Sequence, residues 1–132
     1  MVLCLWEEVV MRLLVCGDRD WSDRKFLYDT LDRWHENEPI EVVIEGEARG
    51  ADQMARDWAT ARGVVVEPYP ADWEKHGKAA GPIRNQQMLD ADPDFVLAFH
   101  DDIESSKGTR NMVKIARKAG VPASVVTHDS AP

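Results

Sequence analysis

Leu13-Leu14-Val15-Cys16 runs straight into Gly17-Asp18-Arg19-Asp20, an apolar tetrad that stops at a glycine and a polar turn. The same pattern returns along the chain. Val42-Val43-Ile44, Val64-Val65-Val66, Phe95 to Phe99 and Val121 to Val126 are apolar runs of strand length, separated by longer stretches with helical spacing. Continuously apolar strands are those covered on both faces, and strands alternating with helices build parallel βαβ units. The chain therefore reads as α/β: a single Rossmann-like domain with a mainly parallel five-stranded sheet, order 3-2-1-4-5, and helices on both faces. Pro122 has no N–H to give to a ladder, which places the last run at an edge.

The intervening segments carry helix signals. Ser22 or Asp23 caps a first helix with Leu27, Leu31 and Trp34 on one side. A second spans about Gly50 to Arg62, turns Met54, Ala55, Trp58 and Ala59 inward and stops at Gly63. The third opens at Gly81-Pro82 and ends before Asp92-Pro93, and the fourth begins near Gly108-Thr109 and ends at Gly120. Pro68 to Ala80 reads as a long βα connection of the kind that carries function or moves. A chain of 132 residues accommodates one core. The domain is set at 11–128, after an N-terminal extension of residues 1–10 and before a frayed tail of residues 129–132.

Twenty-four Asp and Glu against sixteen Lys and Arg leave a formal charge of −8. That balance opposes sequence-independent binding to nucleic acid, unless Lys75, Lys78, Arg84, Lys107 and Arg110 gather into one patch. No apolar stretch approaches membrane-spanning length. Cys4 and Cys16 have neither metal-ligand spacing nor the density of a disulfide scaffold, which points to a reducing cytoplasm. His35, His100 and His128 form no metal spacing with acidic or thiol partners, so no metal site is expected.

In a parallel sheet the loops after the strands share one rim, and ligands bind there at the switch in strand order. Four loops qualify. Gly17, Asp18 and Arg19 form the first; Gly46, Glu47, Arg49, Gly50, Ala51 and Asp52 lie in the second. Trp73, Lys78, Gly81, Arg84 and Asn85 belong to the third, and Ser106, Lys107, Gly108 and Thr109 to the fourth, which Ser105 opens. Glycine where a strand yields to a helix lets a ligand approach the helix's unpaired N–H groups, which is an anion site. Ser105 to Thr109 is the foremost phosphate seat, with Lys107 to offset charge. It is not a Walker A loop, and no Gly-x-Gly-x-x-Gly follows the first strand. Arg19, Arg49 and Arg84 can clamp phosphate, stack on a base or form surface salt bridges. Asp52 reads as an N-cap, or else as a ribose or catalytic group. Trp73 either stacks on a base or anchors its loop, and His76 and Lys78 read as solvated.

Taken in order, these loops resemble the SLOG superfamily of Rossmann-like domains, in its YspA/YpsA-related branch. The resemblance spans about Met11 to Thr127. It is carried by Gly17-Asp18-Arg19, Glu45-Gly46-Glu47-Ala48-Arg49-Gly50-Ala51-Asp52, Pro70-Ala71-Asp72-Trp73, the run Gly77 to Met88 and Gly108-Thr109. It implies a ligand drawn from nucleotides or their derivatives, with ADP-ribose and NAD-related molecules foremost. Relatives include phosphoribohydrolases that release cytokinin bases, whose catalytic Glu stands three positions after the Gly-Thr pair. Met112 occupies that place here, so their mechanism does not carry over. Position 47 usually holds a small residue in similar proteins; Glu47 would exclude phosphate, accept from ribose hydroxyls or simply be solvated.

The first expectation is a module that binds a nucleotide-derived ligand to sense or sequester it, requiring no cofactor. The second is a hydrolase of an N-glycosidic or phosphate bond, with Glu47 or Asp52 activating water. A DNA-handling protein is the third. The resemblance also implies a homodimer or higher homo-oligomer.

Overall fold

The computed structural model describes residues 11–128. The N-terminal extension, with Cys4, and the tail lie outside the described residues. Five strands, β1 (Met11–Gly17), β2 (Ile40–Glu45), β3 (Val65–Pro68), β4 (Phe95–Phe99) and β5 (Ala123–Val126), form one sheet. Every pairing is parallel and the order is β3-β2-β1-β4-β5, as the apolar runs predict.

Because side chains alternate along a strand, each run feeds two cores. Leu13, Val15, Val43, Leu97 and Phe99 face one side, where α1 (Arg24–Asn37) and α2 (Ala51–Ala61) bring Leu27, Leu31, Ala55 and Trp58. Leu14, Cys16, Ile44, Val96 and Ala98 face the other, against Met88 of α4 (Ala80–Asp90) and Met112, Val113 and Ala116 of α5 (Lys107–Lys118). Each fully buried apolar side chain of this size contributes roughly 1.5–3 kcal/mol. No helix among the described residues is long and apolar enough to cross a membrane.

Several boundaries differ from the sequence reading, each for a local reason. β3 and β5 start later than their apolar runs because the first N–H of each run closes the preceding helix. Val64 donates to the Ala59 carbonyl at 2.8 Å and Val121 to that of Ala116 at 2.9 Å. Asp23, rather than Ser22, caps α1, its carboxylate accepting from the Phe26 N–H at 3.0 Å. Pro68 to Ala80 is not an irregular loop. Asp72 caps the short helix α3 (Trp73–His76) through the Lys75 N–H, and a 3₁₀ turn at Gly77–Ala79 leads into α4. β5 does lie at the sheet edge, and the Pro122 carbonyl accepts from Val96 at 2.9 Å.

Candidate functional site

With all strands parallel, their C-terminal ends share one rim, and a cleft of about 640 Å³ opens there. It lies over the ends of β1 and β4, where the strand order reverses. Gly17, Asp18 and Arg19 line it from the first loop, Arg49 and Asp52 from the second. Trp73, Lys78, Gly81, Arg84 and Asn85 contribute from the third connection, and Ser105 to Thr109 from the fourth.

The second loop serves a different purpose from the one its glycines suggested. Gly50 has φ 79°, and a Cβ there would stand 2.3 Å from the Asp18 carbonyl oxygen. A Cβ on Gly46 would meet the Arg84 guanidinium. Both glycines thus admit other parts of the protein, not a ligand, and neither lines the cleft. Ala51 is fully buried, and its N–H is spent on the Asp18 carbonyl at 3.2 Å. Glu47 sits at φ 60° with its carboxylate on Arg56, and it also stands outside the cleft lining.

Asp52 is not the N-cap of α2. Gly50 holds that place without a side-chain bond. The Asp52 carboxylate folds back instead, its Oδ2 accepting from the N–H groups of Gly46 at 3.2 Å and Ala48 at 3.3 Å. Burial raises its pKa from 3.8 to about 6, against the opposing pull of Arg84 and those N–H groups. Beneath it, Glu45 is wholly buried; its Oε1 accepts from the Glu47 N–H at 2.7 Å and its Oε2 has no partner among the described residues. Desolvation, reinforced by the nearby carboxyl groups of Glu47 and Asp52, drives the Glu45 pKa well above the usual carboxylate range. Cys16 lines the cleft floor, but burial pushes its thiol so far up that it is no nucleophile.

Arg84 is the buried cation of the site, 9% exposed. Its Nη1 donates to the Gly46 carbonyl at 2.6 Å and its Nε to Asn85 Oδ1 at 3.0 Å. Asn85 in turn donates to the Gly108 carbonyl at 3.1 Å and to Asn111 at 2.9 Å. This chain of bonds ties the second loop to the first turn of α5 across the cleft. Burial lowers the Arg84 pKa, and Asp52 opposes that shift. Its Nη2 has no hydrogen bond among the described residues.

At α5 the proposed phosphate loop is partly committed to its own fold. Ser106 is the N-cap, its Oγ accepting from the Thr109 N–H at 3.1 Å, and the Ser105 hydroxyl donates to the Asp102 carbonyl at 2.8 Å. The N–H groups of Lys107 and Gly108 make no bond among the described residues, and the space around a Cβ at Gly108 is empty. The donors are therefore two backbone N–H groups, not the whole loop.

The outer wall is more exposed. Arg19 lies over the Trp73 ring at 5.6 Å, Trp73 is 49% exposed, and Arg49 pairs with Asp20. The conditional basic patch does not form as a surface. Arg84 is buried and Arg110 pairs with Glu104. Sequence reasoning missed His100, which is buried and lines the cleft, and the buried Glu45. His100 directly follows the Phe95 to Phe99 run, so its place at the rim was open to the same rule, but nothing in the sequence showed that it would be buried there.

The YAcAr family model, described as the YspA, cpYpsA-related SLOG family, matches residues 11–76. The chain belongs to this family. The SLOG resemblance read from the loops is thereby shown, and the family match runs from β1 through α3. It takes in the first two rim loops and Trp73, and stops before Arg84 and the α5 turn. The gene 61 protein of Mycobacterium phage D29 is 43% identical over 117 residues, covering 84% of this chain and 92% of the phage protein. A solved thymidylate kinase from Ehrlichia chaffeensis is similar at 18% identity and a TM-score of 0.40, covering 92% of this chain and 89% of the kinase. The sheet order, rather than that distant likeness, defines the Rossmann-like fold.

Proposed function

We propose that the cleft binds a phosphate-bearing, nucleotide-derived molecule, an ADP-ribose or NAD-related compound or a nucleoside phosphate, for sensing or sequestration. The observation that carries this reading is Arg84: a buried guanidinium fixed on two sides, with Nη2 unpaired among the described residues, in a cleft that also receives the N–H groups of Lys107 and Gly108, likewise without a partner among them. A buried cation with an idle donor is complementary to an anionic oxygen. Helix-terminal N–H groups add to the same preference. Trp73, with Arg19 beside it, supplies an exposed aromatic face for a base.

Titration calorimetry with ADP-ribose, NAD and AMP tests the reading, with chromatography of each mixture. Saturable binding without product is expected, weakened about tenfold or more in Arg84→Lys, which keeps the charge but loses the fork. No binding of any of the three by the folded protein overturns it.

One observation favours hydrolysis as a second reading. Asp52 lines the cleft and titrates near neutrality, as a general base must. Product formation that disappears in Asp52→Asn would replace the binding-only reading. Glu47, held by Arg56 outside the cleft lining, is not a candidate for that role.

A further inference from the structure

Gly17 and Phe99 are register partners at the ends of β1 and β4. The residue after each, Asp18 and His100, therefore meets the other at the switch in strand order. Their backbones are pinned: the Asp18 N–H donates to the Phe99 carbonyl at 2.8 Å and the His100 N–H to that of Val126 at 3.0 Å.

Each side chain is half used. Asp18 Oδ1 accepts from the Asp20 N–H at 2.9 Å, and Oδ2 accepts no hydrogen bond among the described residues. His100 Nδ1 accepts from the Asp102 N–H at 2.9 Å. A backbone N–H can only donate, so Nδ1 carries a lone pair and the ring proton sits on Nε2. His100 is only 6% exposed, yet its Nε2 has no hydrogen-bond partner among the described residues and the residue lines the cleft. Nε2 and Asp18 Oδ2 stand 4.0 Å apart, too far for a direct hydrogen bond.

The cleft thus holds one fixed donor and one fixed acceptor with a gap between them. An oxygen about 2.9 Å from each subtends an angle of about 90° at itself, close to what a hydroxyl offers between its proton and a lone pair. A hydroxyl satisfies both groups, accepting from Nε2–H and donating to Oδ2. A phosphate or carbonyl oxygen cannot donate to Asp18, and an ammonium cannot accept from His100.

We propose that Asp18 and His100 together read a sugar hydroxyl of the ligand, so that the cleft selects a ribonucleotide over its deoxy counterpart. The inference rests on the phosphate-binding reading above and deepens it. The chain from His100 continues through Asp102, whose carbonyl accepts from Ser105, the residue before the α5 cap Ser106, so hydroxyl reading and phosphate seating belong to one β4–α5 connection. A site built to bond a hydroxyl rejects the analogue that lacks it far more strongly than an apolar pocket does.

The experiment is calorimetry of the full chain with ADP, 2′-deoxy-ADP and 3′-deoxy-ADP, repeated on Asp18→Asn after its melting temperature has been checked. ADP is expected to bind at least about tenfold more tightly than one of the two deoxy forms. In Asp18→Asn that ratio is expected to collapse while the deoxy form keeps its affinity; damage to the fold would lower all three together. Equal affinities for all three nucleotides in the wild type overturn the inference and leave phosphate binding intact. That comparison needs no variant to fold. If none of the three binds, and ADP-ribose also fails to, the phosphate reading itself falls and this inference with it.

Discussion

Asp52 offers the sharpest quantitative test, because its carboxylate is 5% exposed and titrates at about 6 in place of 3.8. Below pH 3.8 the group is protonated in the folded and unfolded chain alike, and its titration costs nothing. Between 3.8 and 6 the unfolded chain gives up the proton while the folded chain keeps it, so stability falls as the pH rises. Above about 6 both are ionised and the full penalty stands. At about 1.4 kcal/mol per pH unit, the gap between the two values corresponds to about 3 kcal/mol. Asp52→Asn has no proton to lose, and its side-chain oxygen can still accept from Gly46 and Ala48. Urea unfolding of both proteins from pH 4 to 7.5 isolates the effect, since His128 titrates in each and cancels in the difference, and Glu45 is pushed up chiefly by its own burial, which the variant retains, with Asp52 the smallest contributor. The stability of the variant relative to wild type is expected to rise by about 2.4 kcal/mol between pH 4 and pH 7, since about 0.5 kcal/mol of the penalty is already present at pH 4. A flat difference, or one of opposite sign, refutes the assignment of a buried, reluctantly ionised Asp52.

Gly50→Ala is expected to cost about 2 kcal/mol or more in denaturant unfolding, because its positive φ and the nearby Asp18 and Arg19 carbonyls both reject a Cβ; an unchanged midpoint contradicts this. Ser106→Ala removes the α5 cap and should cost about 1 kcal/mol by the same measurement. His128 stacks on Trp21 at 4.5 Å and bonds Asp101 and Asp23 at 2.7 and 2.9 Å, and its pKa is raised, chiefly by Asp101. Its stabilisation is complete below 6.5 and is lost as the pH climbs through the raised folded value. The two carboxylates, held below 3.8 by their hydrogen bonds, lose their contribution only as the pH drops below that range. The melting-temperature gap between wild type and His128→Gln should therefore be wider at pH 6 than at pH 9.

The sheet was legible because a strand covered on both faces has little freedom in composition: Leu13 to Cys16 and Phe95 to Phe99 must be apolar at every position, and the order follows from right-handed crossovers. The rim was legible for the same reason, since parallel strands deliver their following loops to one side. What each rim residue does there was less accessible. Asp52 carries the sequence signature of a cap, but Gly50 takes up the turn and bonds Ala51 to the first loop, so the carboxylate is left inside the helix facing its own loop. Gly46 and Gly50 look like room for a ligand and prove to be room for Arg84 and for the Asp18 carbonyl.

The burial of His100 and Glu45 could not be read from spacing. Each is the residue at or just past a strand end, and its surroundings come from neighbouring strands and loops. The chemistry of an acid or an imidazole depends on which partners and how much water remain after folding. Asp18 and Asp52 make the point within one cleft: the first keeps an oxygen with no hydrogen bond among the described residues, while the second is stripped of water and answers to Arg84. Both are aspartates on adjacent βα connections, and in the binding reading proposed above the first accepts from a ligand hydroxyl. In the same reading the second would respond to an arriving anion. A phosphate on Arg84 would weaken the charge that keeps Asp52 ionised, raise its pKa further and draw a proton into the site. Calorimetry near pH 6 in buffers of different ionisation enthalpy should then detect proton uptake on binding, and Asp52→Asn should abolish it.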